Sequence, residues 1–207
     1  MSERNMGQEI LEGIQDIKAN KALSHSAEFL SGQRIYLRPV EPGDIPSFYQ
    51  WANASETRRL TGEVRPSSYA ETVEYYEKMH KEPDRAWFAV VVRETQQLIG
   101  ETGLLRMFPS WRTTDWSIII GEHDARGQGF GTETALLMLN YAFGALNFHR
   151  VSIGVVGFNQ DALHFYEKLG FQREGVQRDG YYYAHRYHEF VMMSLLEDEF
   201  RLRWPEQ

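Results

Sequence analysis

The residues with the clearest chemical potential form a glycine-rich loop at positions 126–131, Arg-Gly-Gln-Gly-Phe-Gly. An apolar run at 118–120 precedes this loop and another at 135–139 follows it, which is the order strand, loop, helix. Such a loop leaves backbone N–H groups unpaired at the positive end of the helix dipole, where they bind anions. Glycine has no Cβ, so the backbone can approach a ligand closely. The loop therefore predicts a site for a phosphate-bearing cofactor.

The spacing of the loop residues discriminates between three kinds of phosphate loop. A Walker loop needs Gly-Lys-Ser/Thr after a four-residue gap, and this chain has none. A dinucleotide fingerprint needs G-x-G-x-x-G, and here the third glycine is out of register. The third pattern, Arg/Gln-x-x-Gly-x-Gly/Ala, is matched by Arg126, Gly129 and Gly131. It is the pyrophosphate loop of the GNAT acyltransferases.

A second segment, residues 159–171, resembles the N-x-x-A-x-x-x-Y-x-x-x-G-F signature of the same family through Asn159, Ala162, Tyr166, Gly170 and Phe171. Two motifs in the right order are much more specific than either alone. The chain resembles a GNAT N-acetyltransferase over roughly residues 34–196. It looks most like the branch of ribosomal-protein N-terminal acetyltransferases and polyamine acetyltransferases.

The resemblance implies acetyl-CoA as cosubstrate and assigns the residues that hold it. By this resemblance, we expect the pantetheine arm to pair with the backbone of the 118–120 strand, whose side chains are expected in the core. The expected cofactor-binding residues are Ile118, Ile119, Ile120, Arg126, Gly127, Gln128, Gly129, Phe130, Gly131, Thr132 and Asn159. Two of these residues also have a purely structural explanation: Arg126 could be an exposed turn residue, and Asn159 could be a helix N-cap.

Transfer of an acetyl group to an amine requires a proton acceptor for the ammonium and a proton donor for the leaving thiolate. The family motif places Tyr166 near the thioester sulfur, where a phenol can donate a proton. The alternative is a packing aromatic, and we expect only one of Phe165 and Tyr166 to point fully inward. For the base, Asp115 is slightly preferred to Glu101 on the preceding strand, although either could be a solvated carboxylate.

The acceptor stays open between a protein N-terminus and a small amine or polyamine. Four glutamates fall near the expected acceptor helices: Glu56, Glu63, Glu71 and Glu74. The aromatic hairpin around 181–189 could form a wall of that site, an amine cage, a dimer contact or simple packing. Its His185, His188 and Glu189 lack a companion cluster, so no metal site is expected. Two other functions compete: a CoA-binding regulatory module without catalysis, and an enzyme that uses another acyl-CoA.

The composition of the chain excludes several functional classes of protein. The net charge of −7 argues against nucleic-acid binding. The absence of cysteine excludes disulfides and thiol catalysis. The chain has no run of about 18 apolar residues, so no membrane span is predicted. Its N-terminus lacks the hydrophobic block of a signal peptide. We therefore expect a cytoplasmic protein with no membrane partner.

The resemblance implies the GNAT fold, an α+β arrangement in which about four helices flank a central, mostly antiparallel twisted sheet of about seven strands. Pattern alone gives only a mixed α/β class. We divide the chain into an N-terminal extension (1–33), an acetyltransferase domain (34–196) and a C-terminal tail (197–207). Ile10, Leu11, Ile14 and Ile17 share one helical face, so the extension is expected to be helical. This stripe and the aromatic hairpin leave a homodimer open.

Overall fold

The computed structural model describes residues 28–62 and 64–205, so the expected helix around Ile10 lies outside the described residues. The strands are β1 (Leu30–Ser31), β2 (Ile35–Pro39), β3 (Ala86–Val92), β4 (Leu98–Phe108), β5 (Thr113–Ile120), β6 (Arg150–Val156), β7 (Gln172–Tyr183) and β8 (Arg186–Leu196). The α-helices are α1 (Ile45–Asn53), α2 (Ser55–Thr61), α3 (Tyr69–Met79), α4 (Phe130–Asn140), α5 (Gln160–Leu169) and α6 (Glu197–Arg203).

The expected α+β class and the mostly antiparallel sheet are confirmed, but both counts were too low. The described residues contain eight strands and six helices, instead of about seven and about four. The additional elements are β1, α2 and α6, which are two or seven residues long. Such short elements contain too little of a hydrophobic period to be recognised in a sequence. Within the described part of the chain, no helix is long and apolar enough to cross a membrane.

The sheet has the strand order β1-β2-β3-β4-β5-β6-β8-β7. All neighbouring strands are antiparallel except β5 and β6, which pair in parallel only between residues 113–115 and 150–152. Beyond these residues both strands continue, to Ile120 and to Val156, without further pairing to one another. The two strands therefore separate toward their carboxyl ends, and this separation creates an opening in the middle of the sheet.

Two hydrophobic clusters cover the two faces of the sheet. The larger contains residues of α4 and α5, and the smaller contains residues of α1 and α3; we name the faces after these helices. Trp116, Ile118 and Ile120 of β5 pack in the larger cluster. Because side chains alternate along a strand, Ser117 and Ile119 point to the α1–α3 face. One strand thus contributes residues to both sides of the opening.

The ends of the described chain also join this framework. Leu30 and Ser31 pair with Leu37 and Tyr36 of β2, which adds an edge strand to the sheet. Residues 197–203 form α6, and its Phe200 is 1% exposed and packs against Phe143 at 5.3 Å between ring centroids.

Candidate active site

A cleft of about 940 Å³ occupies the opening between β5 and β6. On the α4–α5 face it is bordered by Ile118 and Tyr166, and on the opposite face by Ser117 and Gly154. Helix α2 also borders the cleft, through Glu56, Thr57, Leu60 and Thr61. Because the cleft reaches both faces of the sheet, two substrates can meet in it from opposite sides.

The glycine-rich loop lies at one end of this cleft and leads into α4. Gly127 and Gly129 have φ angles of +73° and +86°, a left-handed conformation in which an L side chain is strained. Gly129 is the N-cap residue of α4, so the first N–H groups of this 11-residue helix lie beside the loop. A Cβ built on Gly127 would meet nothing within 4 Å. The loop backbone is therefore open to a ligand at Gly127.

Nine of the eleven expected cofactor-binding residues line the cleft, and Gln128 and Phe130 do not. The Gln128 amide donates to the carbonyl oxygen of Asp124 at 2.5 Å. The ring of Phe130 lies 4.8 Å from the guanidinium of Arg34. The side chains of these two residues therefore contact other parts of the protein and do not line the cleft. Asn159 lines the cleft and is also an N-cap, since its side chain accepts from the N–H of Ala162 at 3.2 Å.

Arg126, the expected pyrophosphate-binding side chain, is held by two other partners. Its Nε donates to the carbonyl oxygen of Ile120 at 2.9 Å, and its Nη1 donates to the Glu56 carboxylate at 2.5 Å. The hydrogen bond and charge of Arg126 hold the pKa of Glu56 below its usual value. The ion pair joins the glycine-rich loop (residues 126–131, named the phosphate loop below) to α2 across the cleft.

Arg34 does not line the cleft but contacts the glycine-rich loop, and the sequence motifs did not indicate it. Its backbone N–H and its Nε both donate to the Glu133 carboxylate, at 2.7 and 3.1 Å. Its Nη1 donates to the carbonyl oxygen of Gln128 at 2.9 Å. Arg34 thereby connects the start of β2 to the phosphate loop and to α4. Nothing in the local sequence indicated this contact, because the partners are about 100 residues apart.

Tyr166 lies on α5 at the cleft, surrounded by aromatic rings. Its ring centroid is 5.7 Å from that of Trp116, 5.6 Å from that of Phe171 and 5.1 Å from that of Phe165. Burial raises the pKa of the Tyr166 phenol, which therefore stays protonated at physiological pH. Phe165 and Tyr166 both line the cleft, and both are partly buried against the larger cluster, so neither of them points fully inward.

The two candidate bases lie on the α1–α3 face but not together. Glu101 is opposite Ile119 and Asp115 is opposite Leu105 in the β4–β5 ladder. A separation of four residues along the strand corresponds to about 13 Å. Neither residue is among those that line the cleft.

Their surroundings also differ. Glu101 is 5% exposed, and its Oε2 accepts hydrogen bonds from Tyr76 Oη and Trp87 Nε1, both at 2.6 Å. Burial raises the pKa of Glu101, although these two hydrogen bonds oppose the shift. Asp115 instead accepts from the Nε of the exposed Arg106 at 2.5 Å.

The aromatic hairpin formed by β7 and β8 packs against α2. Tyr181 Oη donates to the carbonyl oxygen of Arg59 at 2.6 Å. The Arg59 guanidinium lies 5.3 Å from the centroid of Phe158, whose ring also contacts His188. The aromatic group beside α2 therefore already holds a cation from this chain. Of the four glutamates near the acceptor helices, Glu56 lines the cleft, and Glu63 lies outside the described residues.

Comparison with known proteins agrees with this geometry. Residues 34–172 match the acetyltransferase (GNAT) domain family. The chain is 29% identical to a spermidine N(1)-acetyltransferase of Vibrio cholerae over 81% of this chain and 95% of that protein. It is also 29% identical to an alpha/beta-tubulin N-acetyltransferase 9 of Drosophila melanogaster, over 68% of this chain and 76% of that protein.

Comparison with solved structures also finds a spermidine N-acetyltransferase. The crystal structure of the spermidine N-acetyltransferase from Vibrio cholerae in complex with CoA and spermine superimposes with a TM-score of 0.77 at 27% identity. The match covers 82% of this chain and 99% of the other. The chain therefore belongs to the GNAT acetyltransferase family and is an acetyl-CoA-dependent N-acetyltransferase.

Proposed function

We propose that the protein acetylates a primary amine of a polyamine. The observation that carries this proposal is the cleft between β5 and β6, which opens on both faces of the sheet. The donor then binds on the α4–α5 face and the amine arrives from the α1–α3 face. The spermidine N-acetyltransferases of similar sequence and fold support the choice of a polyamine.

The acceptor side of the cleft has suitable chemistry for an alkyl amine. Leu60 and Phe190 provide apolar surface for methylene groups, and Thr57 and Thr61 add hydroxyls. The net charge of −7 favours the approach of a polycation. Glu56 lines the same cleft and shares α2 with three of these residues.

The phosphate loop and Asn159 are proposed to hold acetyl-CoA, together with the backbone of residues 118–120. Acetyl-CoA supplies the activated acetyl thioester. Tyr166 keeps a proton on its Oη in the cleft and is the proposed donor to the departing thiolate. No covalent attachment to the enzyme is needed, because the amine attacks the thioester directly.

The acceptor ammonium must lose a proton before its nitrogen can attack, and this proton is proposed to reach Glu101 through water. Glu101 lies beside Ile119, which lines the cleft, and its raised pKa makes it a better base than an ordinary carboxylate. Asp115 is the second choice for the base, but its carboxylate is already paired with Arg106.

A protein amine is the second candidate acceptor, favoured by the similarity to the tubulin N-acetyltransferase. The deciding experiment measures release of free thiol from acetyl-CoA with spermidine, spermine, putrescine and peptides with free N-termini. We expect turnover with the polyamines. Turnover with peptides alone would reject the polyamine proposal. Silence across the panel, with acetyl-CoA binding demonstrated by calorimetry, would favour another acyl donor or a regulatory module.

A further inference from the structure

The ion pair between Arg126 and Glu56 connects the two halves of the cleft. Arg126 belongs to the phosphate loop, and Glu56 lies in the first turn of α2, which borders the acceptor side. Both side chains line the cleft and both are accessible, with 35% and 52% of their side-chain surface exposed. The pair is therefore within reach of both substrates.

The guanidinium has one fixed partner and one that can be exchanged. The bond from Arg126 Nε to the carbonyl oxygen of Ile120 fixes it to the end of β5. Its Nη1 is bound to the Glu56 carboxylate, whose side chain is half-exposed. A diphosphate at the loop N–H groups presents more negative charge than one carboxylate, and Arg binds phosphate oxygens with charge-assisted hydrogen bonds.

We propose that the diphosphate of acetyl-CoA displaces Glu56 from Arg126, and that the released Glu56 carboxylate then binds the ammonium of the acceptor. Glu56 shares α2 with Thr57, Leu60 and Thr61, the residues on the acceptor side. While it is paired with Arg126, its charge is neutralised. Acetyl-CoA therefore prepares the acceptor site, and Glu56 becomes a specificity residue for cationic amines. This acceptor half rests on the proposed function.

The exchange predicts an unusual effect of removing Glu56. CoA has to break the ion pair in the wild-type protein, so we expect Glu56→Gln and Glu56→Ala to bind CoA about three- to tenfold more tightly by calorimetry. A carboxylate that only supports the loop would give the opposite result, namely weaker binding. Pantetheine lacks the diphosphate, and its affinity should be the same for wild type and variants.

A matched control separates the exchange from a general effect of charge. Asp124 lies two residues before Arg126 and is exposed, so Asp124→Asn removes the same charge beside the loop without touching the pair. We expect its CoA affinity to stay within about twofold of wild type. Unchanged or weaker CoA binding in both Glu56 variants, or an equal gain in Asp124→Asn, would overturn the exchange.

The acceptor half is tested by spermidine titrations with and without saturating CoA. In the wild type we expect CoA to tighten spermidine binding by about fivefold or more, and in Glu56→Gln to leave it unchanged. Equal tightening in both proteins would reject the role of Glu56. If the wild type neither binds nor acetylates spermidine, the proposed function fails, while the CoA titrations still decide the exchange at Arg126.

Discussion

Arg34 holds Glu133 twice, through its backbone N–H and through its Nε, and so attaches the first turn of α4 to the beginning of β2. The same guanidinium donates to the carbonyl oxygen of Gln128 and lies over the ring of Phe130. A residue distant in sequence thus contacts the phosphate loop at Gln128 and Phe130. Arg34 acts by positioning this loop, and it was not among the residues that the motifs indicated.

Replacement of Arg34 by Gln should weaken acetyl-CoA binding by about tenfold, which corresponds to the loss of one charge-assisted hydrogen bond. The kcat/KM for acetyl-pantetheine, which lacks the diphosphate, should be unchanged. Arg93→Gln is the matched control, because Arg93 makes a comparable ion pair with Glu28 that does not involve the loop. Equal losses with acetyl-CoA and acetyl-pantetheine would show that Arg34 affects the whole fold and not the loop.

Substitution of Gly129 by Ala should weaken acetyl-CoA binding more than substitution of Gly127 by Ala. Both positions have a positive φ, so both variants pay a backbone cost of about 1–2 kcal/mol. Only at Gly129 does the added Cβ approach another group, Arg34 Nη2 at 3.1 Å. Calorimetry with acetyl-CoA measures the difference. Intact affinity in Gly129→Ala would reject the assignment of the loop as the diphosphate site.

Removal of the Tyr166 hydroxyl should reduce turnover without a change in acetyl-CoA affinity. We expect Tyr166→Phe to lower kcat by about 10²-fold or more, the usual contribution of a positioned proton donor. Its ring contacts with Trp116 and Phe171 are retained, so the fold is preserved. Tyr141→Phe, at a partly buried tyrosine away from the cleft, is the control. An unchanged kcat in Tyr166→Phe would remove this residue from the mechanism.

The buried Glu101 should make stability depend on pH in a defined direction. Because burial raises its pKa in the folded state, the folded protein binds this proton more tightly than the unfolded chain does. Its contribution to the free energy of unfolding is therefore complete below the ordinary pKa of 4.5 and is lost as the pH rises through the raised value. The free energy of unfolding of wild type, relative to Glu101→Gln, should fall over this range. A difference that is independent of pH would contradict the raised pKa.

The pH profile of catalysis distinguishes the two candidate bases. If Glu101 accepts the ammonium proton, kcat/KM rises as the pH increases through its raised pKa, and Glu101→Gln loses this limb together with most of its activity. Asp115→Asn should keep the profile, because its carboxylate is paired with Arg106. A lost limb in Asp115→Asn and an intact one in Glu101→Gln would exchange the two assignments.

The sequence by itself determined the local features of this protein. The glycines of the loop, the strand before it and the helix after it are neighbours in the chain, so their spacing alone predicts an anion site. The motif around Tyr166 is equally local, and the family and the acetyl-CoA donor follow from the two motifs together. The short β1, α2 and α6 were missed because two or seven residues are too few to show a period.

Contacts between distant segments were decided only by the tertiary structure. The partners of Arg34 and Arg126 depend on how β2 and α2 pack around the loop, and no periodicity encodes that arrangement. The register of β4 and β5 separates Glu101 from Asp115 and buries only the first of them. Motif spacing thus records which groups are adjacent along the chain, whereas charge pairing and desolvation depend on what the fold places across the cleft.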